Sequence, residues 1–174
     1  ALSLHSLKSD LNISIIEPSE KSLYQAACTL VGACAYDVGS TVKQMSEVMP
    51  SYVQWIKEYA EEFMPETNSV KTNKGTYTYD YLVVCPGLKL NFDGVAGLKE
   101  HLGTNNVCTN YSAEMATYTW ECFKNLDGGT LFFTEQPMQI NCAGAPQEIA
   151  YLEADTLKKK SNHNERHLGV LYEK

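Results

Sequence analysis

An apolar, β-branched and aromatic run, followed by a cysteine-bearing turn and then a helical repeat, constrains this chain more than any other feature. Thr130-Leu131-Phe132-Phe133-Thr134 has the residue types of a buried strand. Ala145, Ile149 and Leu152 then recur at steps of four and three, the spacing of one helix face. His167 to Tyr172 is a further strand candidate. Upstream, Ser112 can cap a helix with Glu114 in its first turn, and Met115, Tyr118, Cys122 and Leu126 supply its apolar face. Asp127-Gly128-Gly129 ends that helix and opens the strand. The second half therefore reads helix, strand, turn, helix, strand. That is a βαβ unit, which places the chain in the α/β class.

The turn of this unit carries Cys142, within Asn141-Cys142-Ala143-Gly144-Ala145-Pro146-Gln147. A nucleotide phosphate loop would normally occupy this position, but the run does not match GxGxxG. With one glycine, Gly144, and with Pro146 removing an amide, fewer backbone N–H groups are available to wrap a pyrophosphate. A nicotinamide dinucleotide is disfavoured there. A thiol at a helix start faces the positive end of the macrodipole, which stabilises the thiolate and makes a nucleophile. The same position also suits a small buried hydrophobe, and position alone favours that reading.

The first half is organised around Asn12-Ile13-Ser14-Ile15-Ile16-Glu17-Pro18-Ser19, a buried strand stopped by a proline that cannot donate to a ladder. In dinucleotide-binding units an acid at the end of the second strand bonds a ribose hydroxyl, and Glu17 stands at that place. The Gly-rich loop that goes with it, about twenty residues earlier, would lie before Ala1. Ala1 to Leu11 reads as the tail of an amphipathic helix. Tyr24 to Ala35 is rich in small apolar residues, suited to close packing against a cofactor or another backbone, or equally to a helical core segment. Val53 to Phe63 fits a helix through Ile56, Tyr59 and Phe63 and a strand through Val53 and Trp55; pattern alone slightly favours helix. Val70 and Thr72 before Asn73-Lys74-Gly75, with Tyr77 and Tyr79 after it, predict a hairpin. It leads into Tyr81-Leu82-Val83-Val84, a second buried strand, and then into a loop from Leu88 to Tyr111.

Composition excludes some functions. The 174 residues carry a net charge of −7, with no basic run beyond Lys158-Lys159-Lys160, so nucleic acid is not an expected partner. No stretch approaches the roughly 18 to 20 apolar residues of a membrane span. Cys28, Cys34, Cys85, Cys108, Cys122 and Cys142 are scattered without CxxC spacing, which fits a reducing compartment with one or two functional thiols better than a secreted disulfide scaffold. His163 and His167 lie in or beside a polar, turn-like segment and are not read as metal ligands, and no other metal site is expected.

Several of these segments, taken in order, resemble the sulfide:quinone oxidoreductases, specifically their mitochondrial-type branch. The matching pieces are Ile16-Glu17-Pro18-Ser19-Glu20, Tyr24-Gln25 with Thr29-Leu30-Val31-Gly32-Ala33, and Met49-Pro50-Ser51 with Trp55-Ile56-Lys57. They continue through Tyr79-Asp80-Tyr81-Leu82-Val83-Val84, Asn110-Tyr111-Ser112 with Thr119-Trp120, and Cys142-Ala143-Gly144-Ala145-Pro146-Gln147. Together they span roughly residues 13 to 155.

The resemblance implies a partial flavoprotein of the disulfide-reductase type, built from two Rossmann-like dinucleotide-binding domains. Residues 1–111 would be a partial FAD-binding domain, and 112–174 the start of the second domain. It further implies that Glu17 holds the FAD ribose, that Gln25 lies beside the flavin and that the backbone of Ala60 meets the adenine, with Val53 to Phe63 a strand. Cys142 resembles one of two redox cysteines that form a disulfide or trisulfide, take sulfide sulfur as a persulfide and pass electrons through FAD to a quinone. Cys108 falls where bacterial members carry an additional cysteine. A small sulfur acceptor, the inner mitochondrial membrane as location, and membrane contact through segments outside this chain complete the expectation.

The chain departs from the family in three ways. The Gly-rich loop, the partner redox cysteine, the C-terminal flavin motif and the quinone-site helices fall outside the sequence, so the resemblance reads as truncated at both ends, and this stretch alone is expected to hold FAD weakly and to be inactive by itself. Ala26 stands where the family has proline, and Glu148 where it has lysine or a similar residue. The alternatives are a truncated, non-catalytic or thiol-only relative and, less well matched to the Cys142 turn, an NADH-using disulfide reductase.

Overall fold

In the computed structural model, which describes residues 2–126, 128–135, 142, 144–160 and 166–172, short strands and helices alternate along the chain. They run α1 (Leu2–Leu7), β1 (Ile13–Ile16), β2 (Lys21–Leu23), α2 (Cys28–Gly32), β3 (Val42–Gln44), α3 (Met45–Val48), β4 (Val53–Ile56), β5 (Ala60–Met64), β6 (Ser69–Thr72) and β7 (Thr76–Thr78). Then follow α4 (Leu98–His101), α5 (Ala113–Lys124), β8 (Gly129–Glu135), α6 (Ala145–Lys160) and β9 (Arg166–Tyr172). Asp127, Asn141, Ala143 and the polar segment with His163 lie outside the described residues. The chain divides into two compact units, Ala1–Leu23 with Val42–Gly87, and Tyr24–Thr41 with Leu88–Lys174.

In the first unit β1 and β4 pair in parallel, Ile13 opposite Val53 through Ile16 opposite Ile56. The segment from Val53 to Phe63 is thus extended, in two strands broken at Lys57–Tyr59, and not the helix its pattern slightly favoured. A parallel pair is closed by long-range bonds: Glu17 N donates to Ile56 O at 3.0 Å, and the Trp55 indole donates to Glu17 O at 2.8 Å. β2 and β3 form an antiparallel pair, and β5, β6 and β7 a three-stranded antiparallel sheet. The predicted hairpin is its β6–β7 arm. Its turn is organised by Thr72, whose hydroxyl accepts from Gly75 N at 3.0 Å and donates to Glu58, which also accepts from the Tyr77 hydroxyl at 3.0 Å.

Further expectations fail in this unit. Tyr81–Val84 forms no strand and is exposed, with Tyr81 at 93%. β-Propensity is realised only against a neighbouring strand, and among the described residues β1–β4 acquires no third. For the same reason β1 is half-buried and not fully buried. At the N-terminus α1 stops at Leu7, which is 85% exposed, so the Leu-rich segment buries little.

The second unit contains the predicted βαβ arrangement. β8 and β9 run parallel, Gly129 opposite Arg166 through Glu135 opposite Tyr172, with α6 as the crossover packed on β8 and β9. Only one face of β8 is covered: Phe133 is buried while Phe132 is 66% exposed, so the strand alternates where uniform burial was expected. α5 turns a different stripe inward from the one its sequence suggests. Ala116, Thr119 and Phe123 are buried, one position on from Met115, Tyr118 and Cys122, which are half-buried. The reason is local fit. Phe123 stacks on Phe133 with ring centroids 6.0 Å apart, and the small Ala116 lets Cys28 and Val31 of α2 approach. Ser112 stands at the N-cap with extended backbone, but its side chain makes no cap bond.

Tyr24–Thr41 joins this unit because α2 packs on α5 and α6. The small-residue stretch is therefore a core helix whose smallness is used for close approach. A Cβ built on Gly32 would lie 3.4 Å from both Ile149 Cδ1 and Thr119 Cγ2. Phe123, Phe133, Ile149, Ala150 and Ala33 form the core, with Trp120, Leu131 and Leu152 against it.

Candidate functional site

Cys142 stands between β8 and α6, and it is exposed, which removes the reading of it as a small buried hydrophobe. Gly144 carries the first helical carbonyl, accepting from Glu148 N at 2.9 Å, and Cys142 precedes Ala145, the first residue of α6, by three positions. Its own carbonyl accepts from Ala145 N at 3.4 Å and from the Tyr111 hydroxyl at 3.1 Å. The thiol leans over Gly144. A Cβ built there would lie 3.8 Å from Cys142 Sγ and 3.4 Å from Glu148 Oε1, so the absent side chain leaves space that the sulfur and the carboxylate both border.

Tyr111 reaches this turn from 31 positions upstream. Burial raises its pKa above the ordinary tyrosine range, and the negative charges of Cys142, Glu135 and Glu148 add to the effect. The phenol is thereby kept protonated and able to donate to the turn. Asn110, its neighbour, donates from Nδ2 to the hydroxyl of the buried Thr29 at 2.9 Å, tying the same loop to α2. Tyr111 belongs to the Asn110-Tyr111-Ser112 motif, but a bond of this sequence separation leaves no local signal.

The other predicted residues divide between the units. Glu17 and Ala60 belong to the first, Gln25 and Cys142 to the second. Glu17 directly follows the carboxyl end of β1, half-buried, with Oε1 accepting from Ser19 N at 2.7 Å. Oε2 bears no hydrogen bond among the described residues. An acceptor held at the carboxyl edge of a parallel pair suits a sugar hydroxyl, since ligands of open α/β sheets bind at that edge. Ala60 opens β5 opposite Thr72, where the register shifts as in a β-bulge, and it is exposed. A small exposed residue at an irregular strand start leaves its backbone accessible. Gln25 begins a 3₁₀ turn before α2 and is half-buried.

Cys108 belongs to a loop and Cys122 to a helix face, with nothing local in the sequence to link them. Thr119 Oγ1 donates to Thr109 O at 3.1 Å, which draws the loop onto α5 so that the two thiols interact electrostatically. Burial pushes the Cys108 thiol up to about 11, a contact with Thr119 opposes this, and Cys122 and the buried Glu153 add to it. Among the described residues no group of three or more His, Cys, Asp or Glu side chains is arranged to hold a metal ion, and no helix is long and apolar enough to cross a membrane.

No protein-family model matches the chain. It is 41% identical over 157 residues to a Dictyostelium discoideum protein named mitochondrial sulfide:quinone oxidoreductase, covering 89% of this chain and 35% of that one. A Mus musculus protein of the same name is 36% identical over 149 residues, covering 85% and 33%. The chain thus spans about a third of the length of the curated relatives it matches. Among solved structures, the Aquifex aeolicus sulfide:quinone oxidoreductase superposes with a TM-score of 0.71 at 26% identity, over 91% of this chain and 36% of that one. A chain in the Tetrahymena thermophila mitochondrial ATP synthase structure superposes with a TM-score of 0.70 at 12% identity, over 96% and 42%, which shows the fold alone.

Proposed function

The chain belongs to the sulfide:quinone oxidoreductase family, and from that premise we propose that it forms part of an enzyme that oxidises hydrogen sulfide and delivers the electrons to a quinone. The observation that carries the reading is an exposed Cys142 at the strand–helix turn, within a match covering 89% of the chain. In this reading residues 1–111 belong to the flavin-binding domain and 112–174 open the second dinucleotide-type domain. The mitochondrial names of the relatives support that location, with the inner membrane as the site of quinone exchange. A small thiol-type acceptor would carry the sulfur away.

The residues present fit FAD. Glu17 would hold a ribose hydroxyl through its free oxygen, the Ala60 backbone would meet the adenine, and Gln25 would lie beside the flavin. When bound, FAD supplies a two-electron acceptor between sulfide and quinone. Cys142 does the sulfur chemistry. Hydrosulfide attacks Cys142 Sγ within a disulfide to the second redox cysteine of the family; that S–S bond breaks, the partner sulfur leaves as thiolate, and Cys142 becomes a persulfide. Exposure gives hydrosulfide access, Tyr111 holds the turn through the Cys142 carbonyl, and the space above Gly144 accommodates the added sulfur.

The test is anaerobic addition of sulfide to the native protein while flavin absorbance is followed. Bleaching is expected, and Cys142→Ser should abolish it with flavin content unchanged. Bleaching that survives the substitution removes Cys142 from the step, and a native protein without flavin overturns the whole reading.

A further inference from the structure

The loop from Gly103 to Tyr111 is fastened to one face of α5. Asn105 and Asn106 both adopt positive φ, 51° and 62°, as in a type I′ turn, and the turn is closed by a bridge between Thr104 and Val107. Asn106 N donates to the Tyr118 hydroxyl at 3.2 Å, and the Thr119 hydroxyl donates to Thr109 O at 3.1 Å. These two bonds flank Cys108 on its own strand of loop. They draw on the helix at positions 118 and 119, and Cys122 lies one turn further along the face that Tyr118 occupies. The two thiols consequently meet, with Thr119 and Tyr118 around them and the buried Glu153 of α6 close to Cys108. Both cysteines are half-buried, neither sealed from solvent nor fully open to it. One sits on the loop, the other on α5.

We propose that Cys108 and Cys122 form a second redox site of this chain, a dithiol that a small-molecule disulfide converts to an intramolecular disulfide. The exchange balances without another oxidant. One protein thiolate attacks the small disulfide, whose S–S bond breaks and releases one small thiol, leaving a mixed disulfide on the protein. The second protein thiol attacks the mixed disulfide and expels the other small thiol. Two electrons and two protons pass from the cysteine pair to the reagent. The product fastens to α5 the same loop that carries Asn110 and Tyr111, and so the segment that holds the Cys142 carbonyl. The inference stands on the two hydrogen bonds that hold the Cys108 loop against the α5 face of Cys122, and it is independent of whether Cys142 carries a persulfide.

The full chain, reduced and then exposed to excess oxidised glutathione at pH 8, is alkylated in denaturant, digested and mapped by mass spectrometry. The expected result is a pair of peptides joined through Cys108 and Cys122, lighter by two hydrogens than their sum, so that two of the six cysteines escape alkylation and carry no glutathione. Glutathione retained separately on both residues overturns the proposal. So does recovery of both as free thiols once the exposed Cys34 has been modified. Cys122→Ala should lose the joined peptides without a new partner for Cys108; pairing of Cys108 with Cys142 in that variant would also overturn it. Wild-type mapping decides the matter even where the variant fails to fold.

Discussion

At the scale of single residues, charge around sulfur governs what this chain can do. Glu148 stands where the resemblance implies lysine or a similar residue, and it borders the same space above Gly144 as the Cys142 thiol. It sets a negative charge beside a sulfur whose proposed partner, hydrosulfide, is itself an anion. Glu148→Lys reverses that charge at a few ångströms in a solvent-exposed setting, worth about 1 kcal/mol. Alkylation of Cys142 by anionic iodoacetate should then accelerate about fivefold relative to neutral iodoacetamide; an unchanged ratio would show that the carboxylate does not act on the thiol. Cys108 gives a pH prediction. Its folded pKa is raised from 9.0 to about 11, so the folded chain holds the proton more tightly than the unfolded one. That contribution is fully present below about pH 9 and is lost as pH rises through about 11. Urea midpoints taken at pH 8 and pH 10.5 should fall further in the wild type than in Cys108→Ser.

Among elements, one ring stack, Phe123 on Phe133, links α5 to β8 in the second unit. Phe123 is buried against Phe133, and the inward stripe of α5 is set by that stack and by the room Ala116 leaves for α2. Phe123→Ala should therefore cost about 3–5 kcal/mol, read as a lower urea midpoint. Phe132, one residue before Phe133 and on the open face of β8, should cost under about 1 kcal/mol on truncation to alanine. Equal losses would mean that β8 is covered on both faces. Periodicity identified α5, α6 and the βαβ order correctly, but it favoured a helix over the two strands within Val53 to Phe63 and misassigned the inward stripe of α5 by one position. Tyr118 and Cys122 are as apolar in pattern as Ala116 and Phe123, and their places are decided by a loop that binds the Tyr118 hydroxyl. Tyr81–Val84 shows the converse failure. Its residues have strand propensity, yet a strand exists only when another segment bonds to it.

At the scale of the whole molecule, two of the three proposed cofactor contacts, Glu17 and Ala60, lie in one compact unit, whereas Gln25 shares the other with the reactive sulfur of Cys142. Their effects should separate. Glu17→Gln keeps the acceptor that Ser19 N uses but removes the charge, so it should weaken flavin retention about tenfold, roughly the 1.4 kcal/mol of a charge-assisted hydrogen bond, while leaving Cys142 alkylation unchanged. Flavin content in native preparations and the alkylation rate report the two quantities independently, and a loss of both from one substitution would contradict the separation. The sequence by itself determined the α/β class, the hairpin, the strand–turn–helix around Cys142 and, through ordered motifs, the family. These are local patterns of period, turn chemistry and residue identity, written in neighbouring positions. Only the tertiary structure decided that Cys142 is exposed, that Tyr111 holds its carbonyl, that the strand the resemblance implied over Val53 to Phe63 is broken into two and that the Cys108 loop lies against α5. Each of these depends on contacts between segments far apart in the chain, where packing and hydrogen-bond partners override what any one segment prefers.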